Sequence, residues 1–200
     1  MRSRQIAAAA LVLPLLVGVT TAEAATKKKK RPPPPPPVCH LVVDGKDDAK
    51  GTGTSMDGQN EPTLDILGAD IASNATTLNV VFRMAAVEAT PTTAPVGRGW
   101  DLSFTVKGQS LVVRSYVSPS ATKWADGNGT GKVDAAKNEV RVMVPIAKLS
   151  TPFKPGDKIT EIRASSWRYV MNDMFGKVDH GDAVKPYLAG QRSCIAVGTV

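Results

Sequence analysis

The chain has 200 residues, 42% of them hydrophobic and 5% aromatic, with two cysteines and a formal net charge of +7. That charge is not spread along it: from Pro32 onward 18 basic side chains face 17 acidic ones, so no broad basic face is implied and nucleic acid is not an expected partner. The portion beyond Pro37 is long enough for one hydrophobic core and short for two.

Arg2 and Arg4 precede an apolar run from Ile6 to Val19 that ends in small residues, and Ala22-Glu23-Ala24 fits a cleavage site. Residues 1–24 are therefore expected to be a signal peptide, since the run is too short and wrongly flanked to span a membrane. The mature chain would be secreted or extracellular. Lys27, Lys28, Lys29, Lys30 and Arg31 then concentrate five positive charges, read either as a solvated tail or as a tether to an anionic envelope surface. Pro32 to Pro37 form a polyproline rod of roughly 19 Å, so residues 25–37 read as a linker and 38–200 as one domain.

The domain opens on Cys39 to Val43, a strand-like run, and continues into the acidic, Gly-rich loop DGKDDAKGTGTSMDGQNEP. Leu64 to Met84 reads as two strands joined at Ser73 to Thr76 and forms the centre of the fold. Leu78, Val80, Phe82 and Met84 share one parity, whereas the first strand changes parity near Gly68, which marks either a bulge or burial on both faces. Trp100, Leu102, Phe104 and Val106 alternate cleanly, and Lys107-Gly108 turns the chain back into Leu111 to Val117. Thr122 to Ala125 and Gly131 to Ala135 flank DGNGTG, a signal for a tight hairpin. Val140, Val142, Val144 and Ile146 alternate up to Pro145, and Ala147 to Leu149 suggests a short helical turn. Lys158 to Tyr169 is the last clear strand, and the stretch from Val170 onward reads as irregular until a short closing strand near Cys194. The expected fold is all-β: an antiparallel β-sandwich of jelly-roll type with about nine strands.

Cys39 and Cys194 lie near the two ends of the domain, and in an exported chain a disulfide between them is the expected state. The alternatives are a pair of free thiols or a cysteine nucleophile at Cys39 beside His40. Zinc-protease HExxH and GxSxG nucleophile motifs are absent, and GNGTGK lacks phosphate-loop spacing, so a non-catalytic role is expected.

Asp44 to Ala49, with its Asp-x-x-x-Asp-Ala pattern, PTLDILGADIASNATTLNVVFRM, the Val144-Pro145 strand end and the Tyr187 to Cys194 segment together resemble DOMON-like and family-nine-like carbohydrate-binding β-sandwich domains of secreted bacterial proteins. That resemblance implies a β-sandwich whose relatives include sugar binders and haem binders. From the residues themselves, Arg114, Tyr116, Trp124, Arg163, Trp167 and Tyr169 are candidate ligand-binding residues, because aromatic faces beside polar groups suit a polysaccharide or cell-wall polymer. The competing reading makes these rings core edges in a structural or display domain without a small ligand. Asp44, Asp47, Asp48 and Asp57 crowd one loop and are candidate ligands for a structural calcium ion, or else plain turn formers. Haem would need His40, His180 or Met84, and Met84 is in phase with the core. Asp179-His180-Gly181-Asp182 reads as an acid–base cluster or a surface turn.

Overall fold

Strand alternation governs the fold as expected, and the described residues contain eleven strands: β1 (Val42–Val43), β2 (Ile66–Ser73), β3 (Thr77–Met84), β4 (Val96–Val106), β5 (Gln109–Val117), β6 (Thr122–Lys123), β7 (Thr130–Asp134), β8 (Glu139–Pro145), β9 (Lys158–Val170), β10 (Asp173–Asp182) and β11 (Tyr187–Leu188). The computed structural model describes residues 33–50, 60–90, 96–170 and 173–198, the side chains at 96, 169–170 and 173–177 excepted. The expected signal peptide, the cluster Lys27 to Arg31 and Asp57 lie outside the described residues. Residues Pro35–Val200 form one unit.

Two antiparallel sheets make up that unit, with strand orders β1-β2-β3-β8-β7 and β10-β9-β4-β5-β6, and β11 added to β9. The expected β-sandwich is present, and the hairpins β2–β3, β4–β5, β7–β8 and β9–β10 alternate between its two sheets. Three of the eleven strands, β1, β6 and β11, are only two residues long. Ile71, Leu78, Val80, Phe82 and Val142 from one sheet meet Trp100, Leu102, Phe104, Val113 and Ile162 from the other in a single buried cluster. Burying this many branched and aromatic side chains supplies the main drive for closing the sheets on each other.

The central hairpin is where the sequence placed it. Asn74 accepts bonds from Thr76 N and Thr77 N, so its side chain builds the turn. The parity change in β2 has both expected causes at once: the register with β3 shifts between Ile66 and Gly68, and the strand is buried on both faces. On its outer side Asp70 accepts from Leu41 N and pairs with Arg83, while Asn79 accepts from Gly198 N. The chain ends of the domain therefore cover that face.

Two expectations fail. The segments around DGNGTG do not pair with each other: β6 pairs with β5 in the second sheet and β7 with β8 in the first. A single 3-10 turn at Ala125–Gly127, entered with positive φ at Ala125 and Asp126, carries the chain across instead. The irregular stretch after Tyr169 is in fact β10, a ten-residue strand. Its register with β9 shifts between Phe175 and Lys177 and again between Lys177 and Asp179, and these bulges break the alternation that would have announced it.

Three links close the sandwich. Cys39 and Cys194 form the expected disulfide, their Cα atoms 5.2 Å apart, and Val38 forms a parallel bridge with Ser193 beside it. Val42 of β1 also bridges Ala183, just past β10, so this short edge strand touches both sheets. Ser166 of β9 donates to Leu64 O, and Asp179 of β10 accepts from Ile66 N at 2.7 Å. At the start of β4, Arg98 and Arg168 stand opposite each other across the strands, and Glu61 pairs with both.

Candidate functional site

Registers in the second sheet place three rows of side chains on its outer face. Tyr116, Gly99 and Trp167 lie in the first, Arg114, Asp101 and Ser165 in the next, and Val112, Ser103 and Arg163 in the third. Strand geometry thus brings Arg114, Tyr116 and Trp167 together, as their parity predicts. The indole of Trp167 lies over Gly99, whose missing side chain makes the room; a Cβ there would collide with the ring. Tyr116 meets it edge-on at 6.1 Å between centroids, and the Arg114 guanidinium sits 5.8 Å from its centre.

Asp101 is the hub. Its carboxylate is buried, accepts a hydrogen bond from Trp167 Nε1 at 2.9 Å and takes three from Arg114, whose Nε donates to both carboxylate oxygens and whose Nη2 donates to one. Those bonds strengthen the hold of Arg114 on its proton. Asp126, from the 3-10 turn, has its own carboxyl raised, first by burial, with the charge of Arg114 opposing. Trp167 is only 1% exposed, so it supports this assembly from below and does not offer an open stacking face. Arg114 and Tyr116 are its half-exposed members.

The other candidates fall elsewhere. Arg163 shares the face, two residues along β9 from Ser165, and is held by Asp182 in a two-bond pair. Trp124 leaves the group: it packs against the edge of the core next to Val133, beyond β6. Tyr169 pairs with Gly97 through the backbone, and its side chain is not among those described. Met84 is buried in the core, whereas His40 and His180 are exposed.

A second grouping gathers at the opposite edge of that sheet. Asp44 and Asp48, from the loop after β1, and Asp179 of β10 each place a carboxylate oxygen within 4.8 Å of the others. Gly45 permits the loop to fold tightly, since a Cβ there would stand 2.6 Å from the Asp48 carboxylate. Burial, then the charges of Asp44 and Asp48, push Asp179 up to about 6 against the bonds from Ile66 N and His180 N. Asp44 is raised too, chiefly by burial and further by Asp48 and Asp65, with the bond from Gly45 N opposing. Asp47 turns from this group and reaches Asn60, and its backbone N donates to Asp65. Asp179 and Asp65 were not among the expected ligands. Asp65 lay past the acidic loop, within the Leu64 to Met84 stretch read as two strands, and Asp179 stood only as part of a tail acid–base cluster far along the chain.

Among the described residues no helix is long and apolar enough to cross a membrane. Compared with known families and with curated proteins, the chain matches no family model and no curated sequence.

Proposed function

We propose that the chain is a non-catalytic module that works outside the cell, and that it meets polysaccharide or cell-wall polymer on the outer face of its second sheet. The observation that supports this reading is the Asp101 hub: a buried carboxylate and a buried indole hold Arg114 and Tyr116 at the surface in fixed geometry. A tyrosine ring can stack on the apolar face of a sugar while a fixed guanidinium donates to its hydroxyls. Rigid placement matters because every side chain immobilised on binding would otherwise weaken the complex. The signal segment and the resemblance to sugar-binding sandwiches support the same reading, and Lys27 to Arg31 would add a salt-sensitive hold on anionic envelope material.

The test is retention of the intact protein on a panel of insoluble polysaccharides and cell-wall preparations. Tyr116→Ala is expected to weaken retention more than tenfold, about 1.4 kcal/mol, with melting temperature little changed, whereas Arg114→Ala should weaken it as much and also lower the melting temperature, because the buried Asp101 carboxylate loses its ion-pair partner. Deleting residues 27–31 should remove only the part of retention that salt abolishes. A second reading, a display domain without a small ligand, is favoured by the burial of Trp167. It prevails if the intact protein is retained on no glycan.

A further inference from the structure

We propose that a calcium ion binds between the loop after β1 and strand β10, with Asp44, Asp48 and Asp179 as carboxylate ligands and the buried oxygens of Asp65 and Asn60 beside them. Three acids on their own would be unremarkable, because surface carboxylates often gather in turns. The carrying observation is different. Among the described residues, the buried side-chain oxygens without any hydrogen-bond partner are Asp44 Oδ2, Asn60 Oδ1 and Asp65 Oδ1, and all three belong to this one region. The other unpartnered buried atoms are nitrogens, on Arg83, Arg98, Trp100 and Arg168.

Asp65 is the decisive group. It is fully buried, at 0% exposure, and one of its oxygens has no partner. Its other oxygen accepts from Asp47 N at 2.7 Å and from Asn60 Nδ2 at 3.2 Å, which fixes the carboxyl against the Asp44 to Asp48 loop. A buried carboxylate oxygen with nothing to accept is strongly unfavourable, and so is a set of carboxylates within one another's reach. A cation removes both penalties together. The available donors are all oxygens, several of them carboxylates, which matches calcium with its six to eight oxygen ligands. Magnesium demands a tighter octahedron and keeps its waters.

The site would join the two sheets at the edge where Val42 already bridges Ala183. It stands independently of the polysaccharide reading, since Arg114 and Tyr116 belong to other strands and another surface. The intact protein, stripped with chelator, is titrated with calcium chloride and followed by calorimetry and thermal melting. A dissociation constant between roughly 10 µM and 1 mM is expected, as for sensor and extracellular sites. Melting temperature should rise by roughly 5–10 °C at a hundredfold excess over that constant. Asp48 is exposed, so Asp48→Asn should fold normally and bind at least tenfold more weakly; Asp44→Asn repeats the test at the half-buried ligand. Asp134→Asn, an acid paired with Lys137 on another strand, should bind like the parent. No heat and no shift up to roughly 10 mM calcium would overturn the proposal. So would unchanged binding by both loop variants, or magnesium binding as tightly as calcium.

Discussion

Trp167 stands on the outer face of the second sheet and is nevertheless enclosed, because Gly99 leaves space beneath the indole while Tyr116 and Arg114 flank it. Removing the ring should leave a cavity and take one donor from the buried Asp101 carboxylate, which keeps its bonds from Arg114, so Trp167→Ala is expected to destabilise the fold by about 3–5 kcal/mol in chemical denaturation. Trp167→Phe keeps most of the volume and loses only the N–H donor, and about 1–2 kcal/mol is expected. If Trp167→Ala unfolds no more easily than the parent, the indole does not hold up the Asp101 assembly. Glu61 offers a second test at this scale. Arg98 and Arg168 face each other across the β4–β9 ladder, and with 11% and 21% side-chain exposure their charges are only partly relieved by water. Glu61→Gln should therefore destabilise by roughly 2–3 kcal/mol, and added salt should recover part of it by screening the arginines. This pairing left no trace in the sequence, where Glu61 is one acid in a polar loop. The outer-face parity of Trp167 was legible, but its exposure depended on neighbours from two other strands, β4 and β5, that only the register brings together.

Elements were legible in proportion to how long their alternation ran unbroken. β3, β4 and β8 each keep one parity inward over most of their length, and all three were readable within a few residues of their observed bounds. β10 was not, because two bulges reset its phase, and with it went the ligand Asp179. The turn at DGNGTG failed for another reason. Asp-Gly and Asn-Gly pairs specify tight local reversal, but the flanking strands pair with β5 and β8, which belong to different sheets. In the central hairpin, by contrast, local and long-range preferences agree. Asn74→Ala removes the acceptor for Thr76 N and Thr77 N in an exposed turn, and a loss of about 1 kcal/mol is expected from the denaturation midpoint. A change below the error of that measurement would mean that β2 and β3 pair without help from the turn.

At the scale of the whole molecule, the disulfide spans 155 residues, nearly the complete domain. Closing so long a loop restricts the unfolded chain, and reduction should lower stability by up to about 5 kcal/mol by the loop-closure argument. Unfolding curves with and without reductant measure it, and coincident curves would contradict it. The same bond decides how the domain bears load. Cys39 and Cys194 join its first and last segments side by side, so a pull applied at the two ends runs through one covalent bond and passes the sheets by. Under single-molecule stretching, the oxidised domain should show no extension step from residues between the two cysteines. After reduction the 155-residue span becomes free to unravel, adding roughly 50 nm of contour length. Held by its ends, this sandwich is a closed link whose strength is set by sulfur chemistry and not by the packing inside.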